Sequence, residues 1–547
     1  MNRYLFYVFI LLGFLARLVM LVRYEFVSGG EVDVYLADEG VVGLMGMHIL
    51  EGRELPVFFY GQDYLGALEA YLVAASFALF GVGFGSLRLV PFGASLLLLA
   101  LVYRFTRRTY SVDAARWATA LVSVAPVYFL QWNLKARGGF VEHIVLLVIV
   151  MALFWRFYLY GERNSRLATA LGLVAGVALW VNQLMLAYLA VFAALLAWLG
   201  DRRSIAVLTA ATALGASLLI SYNVMYPLAT ARSLGRKAVV LNRVPVEQRD
   251  EDWVLRGVAK RFEAMRHGAD KLGLVFGVPP REGVERLGLT PAELQGTALT
   301  GFRRMLWPIP VLLFGWAVFA SVRRRRLISE RRLASEPLLA LLLFVTFVVG
   351  YVSPRYMLPA YPLAAIMAAV LMIGSEGYRR SAAISGIAFV LVFNVLGWAD
   401  LFGRPAANDA VVNDDDGRGD RLLAALEQQG LTRCYSAGPL YHLVFASGER
   451  VVMSPLQKDR YPAYNDEVEA SPSVCYVFRE DQQKKRQHIA MMDFLESRGV
   501  RYDTTLAPPY RILHGLAPRE VITGDAIGRV RRLEPPRSVA QPQEGSG

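Results

Sequence analysis

The chain has 547 residues, 55% of them hydrophobic, and carries 58 lysines and arginines against 46 aspartates and glutamates, a net charge of +12. That apolar share exceeds what a soluble core buries, so a bilayer is the natural solvent. The basic excess falls in short arginine clusters between apolar runs, which is how membrane topology is encoded, and this sets nucleic-acid binding aside.

Residues 1–22 form an apolar stretch interrupted by Arg17, with no small-x-small cleavage site, and read as a retained first helix. A spanning helix takes about 20 mainly apolar residues. The sequence predicts eleven: 5–22, 87–103, 113–131, 142–160, 167–182, 184–199, 204–222, 305–322, 336–352, 357–374 and 381–398. A further stretch, 62–80, is long enough but contains Glu69, so charge decides its status. If it does not span, Arg104, Arg107, Arg108, Arg163, Arg166, Arg202, Arg203, the 323–326 and 331–332 arginines, Arg379 and Arg380 all share the side of the N-terminus, which is then cytoplasmic. If it spans, they all move outside, against little more than Lys135, Arg137 and Arg355 on the other face. Residues 62–80 are therefore expected to be a juxtamembrane or re-entrant helix, with Gly66 and Glu69 turned toward protein.

On this topology the outer face carries residues 23–87, 131–141, 223–304 and everything after 400, while the inner face has short turns. The last piece reads as a small α/β domain: helical runs at 421–429 and 486–498, and strand-like runs at 433–435, 441–445, 451–453 and 474–478. Its Cys434 and Cys475 make no metal-ligand set; they are either a disulfide, if the domain faces an oxidising compartment, or two buried thiols. The tail after Arg532, rich in Pro, Gln, Ser and Gly, reads as disordered.

Ionisable residues at membrane depth or its edge are costly and usually face a cavity or partner. Asp38 and Glu39 open an apolar run, 41–50, and read either as a helix cap or as chemistry. Glu69 interrupts an apolar helix; its bland reading is an ion pair with Arg88 that holds the outer helices together. The loop Gln131-Trp132-Asn133-Leu134-Lys135-Ala136-Arg137-Gly138-Gly139-Phe140-Val141-Glu142-His143 packs polar groups at the mouth of two spans, which suggests a polar ligand. Glu142 and His143 with Asp38 are weak evidence for a metal. In Ser353-Pro354-Arg355-Tyr356-Met357-Leu358-Pro359 an arginine on the outer face runs against the topology rule and suits an anion, phosphate above all; otherwise it is a snorkelling or structural arginine, the reading that also fits Arg17.

The order of Ala37-Asp38-Glu39-Gly40, Leu79-Phe80-Gly81, Arg88-Leu89-Val90-Pro91 and Arg355-Tyr356-Met357-Leu358-Pro359-Ala360-Tyr361-Pro362 resembles the GT-C membrane glycosyltransferases, in particular the bacterial protein O-mannosyltransferase and aminoarabinose-transferase-like group. The resemblance covers residues 1–160, returns near Arg355 and is loose elsewhere. It implies a polytopic α-helical GT-C protein with about eleven spans (1–399), a small extracytoplasmic α/β domain (400–532) and a tail (533–547). It also implies inverting transfer of a sugar from a polyprenyl-phosphate donor to an acceptor hydroxyl of a glycan, lipid or protein, outside the bacterial cytoplasmic membrane. Asp38 and Glu39 are then the catalytic candidates, and Glu69, Arg88, Arg137, Glu142, His143, Arg355 and Tyr356 the substrate-binding ones, with no cofactor expected and a divalent metal possible but not indicated. Two departures stand out: Glu142 where relatives often offer an aspartate, and Phe58-Phe59-Tyr60-Gly61 in place of a Pro-Pro pair, which suggests a different acceptor. A lipid-linked glycan polymerase or ligase would share the outer arginines but often lacks the early Asp-Glu loop. A transporter or flippase would spread polar residues through the bilayer midplane, where these spans are largely clean.

Overall fold

The computed structural model describes residues 1–23, 32–234, 272–273, 275–276, 328–329, 332–350, 353–402, 418–456, 459–479 and 485–518. It divides into two compact units, one of residues 1–31 and 45–412, the other of residues 32–44 and 413–547.

The first unit is helical: α1 (Arg3–Arg23), the last turns of α2 (Val32–Leu50), a hairpin of β1 (Phe58–Phe59) and β2 (Gln62–Gly66), then α3 (Leu68–Phe80), α4 (Phe84–Thr109), α5 (Val112–Ser123), α6 (Val127–Asn133), α7 (Phe140–Tyr158), α8 (Ser165–Val181), α9 (Met185–Leu199), α10 (Arg202–Gly215) and α11 (Ser217–Met225). A second hairpin, β3 (Ile328–Ser329) and β4 (Arg332–Leu333), precedes α12 (Ser335–Gly350), a 3-10 turn (Pro354–Met357), α13 (Ala360–Ile373) and α14 (Gly377–Phe402). Every expected span falls on a helix or helix pair except 305–322, which lies outside the described residues, as does most of the expected 223–304 loop. Among the described residues, five helical stretches are long and apolar enough to cross a membrane, or six if α10 and α11, bent by 64°, form one span. The chain is a multi-pass membrane protein.

Ion pairs gather the short turns at one end of this bundle. The N-terminal ammonium meets Asp113 at 3.3 Å, Arg108 meets Glu162 at 3.0 Å, and Arg163 meets Asp201 at 3.9 Å. These are turns that the arginine clusters assign to one face. The stretch 62–80 is not the single helix expected, since its first five residues are the strand β2 and only Leu68–Phe80, 13 residues or about 20 Å, is helical.

The expected third span, 113–131, is also two helices. Pro126, which has no N–H to donate, stands at the break as the N-cap of α6. A helix that ends inside a bilayer leaves carbonyls that only protein can satisfy. Five successive carbonyls here are served from three other helices. Tyr361 donates to Leu121 (2.9 Å), Arg17 to Val122 (3.0 Å) and Ser123 (2.8 Å), Asn394 to Val124 (2.7 Å) and Trp398 to Ala125 (2.9 Å). Arg17 also donates to Gly13 O and Ser95 Oγ, both at 2.9 Å, and is fully buried, so it is structural.

The second unit contains α15 (Arg418–Gln428), β5 (Arg433–Ser436), α16 (Tyr441–Ala446), β6 (Val452–Pro455), α17 (Pro462–Ala470), β7 (Cys475–Arg479), α18 (Lys485–Ser497), β8 (Arg501–Ala507) and β9 (Tyr510–Ala517). The five strands form one sheet in the order β6-β5-β7-β9-β8, parallel around β5 and antiparallel from β7 onward. Cys434 and Cys475 are register partners on β5 and β7 and are bonded to each other. The run 441–445, expected as a strand, is the helix α16. All five residues are buried, and a short continuous apolar run reads alike as a buried strand or a buried helix turn. The tail after Arg532 lies outside the described residues.

Candidate active site

In the first unit the predicted residues converge on the loop between α6 and α7. Trp132 sits in the last turn of α6 and Phe140 opens α7, their rings 5.3 Å apart edge to face. Arg137, buried, lays its guanidinium over Trp132 at 4.4 Å. Arg355, on the 3-10 turn that Pro354 starts, stands 5.9 Å from the same indole, 5.8 Å from Phe140 and 5.1 Å from Tyr356. Tyr356 in turn stacks on Phe140 at 6.2 Å and accepts from Arg355 at 3.3 Å. Two guanidinium groups more than two hundred residues apart in sequence thus share one aromatic ring, Trp132. Stacking on rings fixes the plane of a guanidinium while leaving N–H edges available for an anion.

The loop that carries Arg137 is held by Glu69. Gly138 and Gly139 both have positive φ, +84° and +85°, a conformation that favours glycine, and successive amides then point to one side. Both donate to Glu69 Oε2, at 2.6 and 2.9 Å. The sequence reading placed Glu69 inside an apolar helix with no capping role. Instead it stands in the first turn of α3 and binds a backbone nest. Gly66 is as close-fitting as expected, since a methyl there would meet the Trp180 carbonyl at 2.7 Å. Arg88, in the second turn of α4, is buried with its guanidinium 5.7 Å from Phe84.

Glu142 and His143 occupy the first turn of α7 and are buried. Among the described residues neither the Glu142 carboxylate nor the His143 ring nitrogens, nor the side-chain amide of buried Asn133, has a hydrogen-bond partner. The His143 ring lies 6.2 Å from Tyr188. Buried polar atoms without partners are costly, and a ligand is one way to satisfy them. No group of three or more His, Cys, Asp or Glu placed to hold a metal ion occurs among the described residues.

Asp38 and Glu39 belong to the second unit. They are not at a helix N-terminus: α2 starts at Val32, so both lie beyond its first turn, where the dipole contributes little, and the capping reading falls. Glu39 is fully buried and Asp38 partly so. Asp38 Oδ1 pairs at 2.5 Å with Arg460 Nη1, a partner 422 residues away that sequence reasoning did not find. One signal was present. Ala37, Gly40 and Gly43 form a stripe of small residues at helical spacing, and α16 packs against it. A methyl on Gly40 would collide with the backbone of Tyr441 and His442, and one on Gly43 would meet the Phe445 ring at 2.8 Å.

No family model matches the chain, and no curated protein matches it. Solved structures do. ArnT from Cupriavidus metallidurans bound to undecaprenyl phosphate superposes with a TM-score of 0.52 at 13% identity, over 94% of this chain and 98% of ArnT. The apo state of ArnT gives 0.47 at 14% identity, over 93% and 98%. The archaeal oligosaccharyltransferase AglB from Archaeoglobus fulgidus, in complex with an inhibitory peptide and a dolichol-phosphate, gives 0.45 at 13% identity, over 95% of this chain and 74% of AglB. The first of these carries the assignment of fold: the chain has the GT-C fold, as the sequence resemblance implied.

Proposed function

From the GT-C fold we propose that the protein is a glycosyltransferase that takes a sugar from a polyprenyl-phosphate donor and places it on an acceptor hydroxyl with inversion. The observation that carries this reading is the pair Arg137 and Arg355, oriented by Trp132, Phe140 and Tyr356, which offers a phosphate two planar cations. The neighbour seen with undecaprenyl phosphate supports a lipid-phosphate donor.

Asp38 is the general base. The acceptor oxygen gives its proton to the carboxylate as it attacks the anomeric carbon from the face opposite the phosphate, the bond from that carbon to the phosphate oxygen breaks, and the polyprenyl phosphate leaves. Negative charge grows on the departing oxygen, and Arg355 with Arg137 stabilises it there. The step as written uses no metal, and chelation is expected to leave turnover unchanged; loss of turnover would bring a divalent cation into the mechanism. Glu142, His143 and Asn133 bind polar groups of the sugar or acceptor, and Arg88 supports the outer ends of the helices.

The protein works in a bacterial cytoplasmic membrane with its N-terminus inside and its second unit outside. The arginine turns share the N-terminal end, where such clusters stay cytoplasmic, and the Cys434–Cys475 bond suits an oxidising compartment. Purified protein given radiolabelled undecaprenyl-phosphate sugars and a cell-envelope acceptor fraction is expected to move label out of the lipid phase; retention of label with every donor would overturn the reading. A Ser538→Cys protein in intact spheroplasts is expected to react with an impermeant maleimide, and reaction only after lysis would reverse the orientation.

A further inference from the structure

The second unit holds an arginine on the candidate base. Arg460 Nη1 reaches Asp38 Oδ1 at 2.5 Å, with 26% of the arginine side chain and 18% of the aspartate side chain exposed. The arginine is itself held in place. Its backbone N–H donates to Tyr441 Oη at 2.7 Å, and that hydroxyl donates to Asp459 Oδ1 at 2.6 Å. Asp459 Oδ1 also accepts from the Tyr461 N–H at 2.9 Å, and its Oδ2 from Ser454 Oγ at 2.7 Å. Burial and the Asp459 carboxylate push the Tyr441 phenol up, so it stays protonated and keeps donating. The network runs from β6 through α16 to the start of α17 and fixes the backbone from which Arg460 extends.

A staple holding α2 to its unit does not need this pair. The close fit of Gly40 and Gly43 against α16 already docks the helix, and a partly exposed ion pair contributes only about 0–1 kcal/mol. What the pair does supply is geometry: it occupies one carboxylate oxygen, compensates its charge and leaves Oδ2 as the atom to receive a proton. We propose that Arg460 is a positioning residue for Asp38, which makes the C-terminal domain a working part of the transferase.

This inference rests on Asp38 being the base, and the experiment separates the two. Transfer from radiolabelled undecaprenyl-phosphate sugars is measured for the full-length Asp38→Asn, Arg460→Ala and Arg460→Lys proteins, together with the trypsin sensitivity of their C-terminal domains. With Asp38→Asn inactive, Arg460→Ala is expected to lose about tenfold to 10²-fold in kcat, with donor KM changed by less than about threefold. Arg460→Lys should recover part of that loss. Added guanidinium ion should restore Arg460→Ala several-fold while leaving Asp38→Asn inactive. The inference is overturned if Arg460→Ala turns over within about twofold of the natural protein while Asp38→Asn is dead. It is equally overturned if the loss is rescued by neither lysine nor guanidinium and the domain becomes trypsin-sensitive, the signature of a structural role. An active Asp38→Asn protein removes the base itself and this inference with it.

Discussion

Glu69 and Asp38 are both carboxylates of the segment between α1 and α4, and the sequence made both candidates for the site, yet the fold holds them differently. Glu69 is buried, and its Oε2 is bound by the amides of Gly138 and Gly139. Asp38 is partly exposed and is bound at one oxygen, Oδ1, by the Arg460 guanidinium. The contrast teaches that main-chain donors fix a carboxylate to the path of a loop, whereas a side-chain cation ties it to a residue distant in sequence. Glu69 thus supports the Arg137 loop through Oε2.

The comparison breaks first at Asp38. Asp38→Asn is expected to lower transfer by about 10² to 10⁴, with thermal stability close to that of the natural protein. If Asp38→Asn keeps substantial transfer and Glu39→Gln is dead, the base moves one residue along. Next comes the anion clamp: Arg355→Lys keeps the charge but not the planar fork, and a drop of about tenfold or more in kcat/KM is expected in a well-expressed protein. Near-normal turnover would remove Arg355 from the phosphate. Glu69→Gln should act the other way round from Asp38→Asn. It should weaken the nest by about 1.5–3 kcal/mol, read as a fall in detergent-melting temperature, and impair transfer only through looser seating of Arg137. A Glu69→Gln protein that melts normally but transfers nothing would erase the distinction drawn here. The smallest effect is expected at Gly139→Ala, where an L side chain at positive φ costs about 1–2 kcal/mol and the new methyl meets Val181 at 3.2 Å. A normal melting curve there would show that the nest does not depend on that backbone conformation.

The apolar runs made the helices legible because lipid leaves a helix few alternatives. That Arg137 and Arg355 meet at Trp132 was anticipated only indirectly, through the expectation that a cation against the charge rule needs a reason. The break between α5 and α6 was harder to read, even with Pro126 in view, because what permits it is a set of side chains from α1, α13 and α14. Arg460 was hidden for a related reason. A lone arginine in a polar domain has an ordinary solvated reading, and a partner 422 residues away leaves no local periodicity. The helix at 441–446 went unread because burial on all sides erases the alternation that separates strand from helix.

The sealed break at residues 121–125 also bears on how this sequence can drift. Arg17, Tyr361, Asn394 and Trp398 each answer for neighbouring carbonyls of one short segment, and Asn394 also donates to Tyr361 at 3.1 Å. Losing one leaves a carbonyl stranded in an apolar surrounding, after which the segment can shift and the remaining donors matter less. Their substitutions are therefore epistatic and sub-additive, so positions 17, 361, 394 and 398 change together or not at all. Across homologues they should co-vary as one unit, although they lie on three different helices.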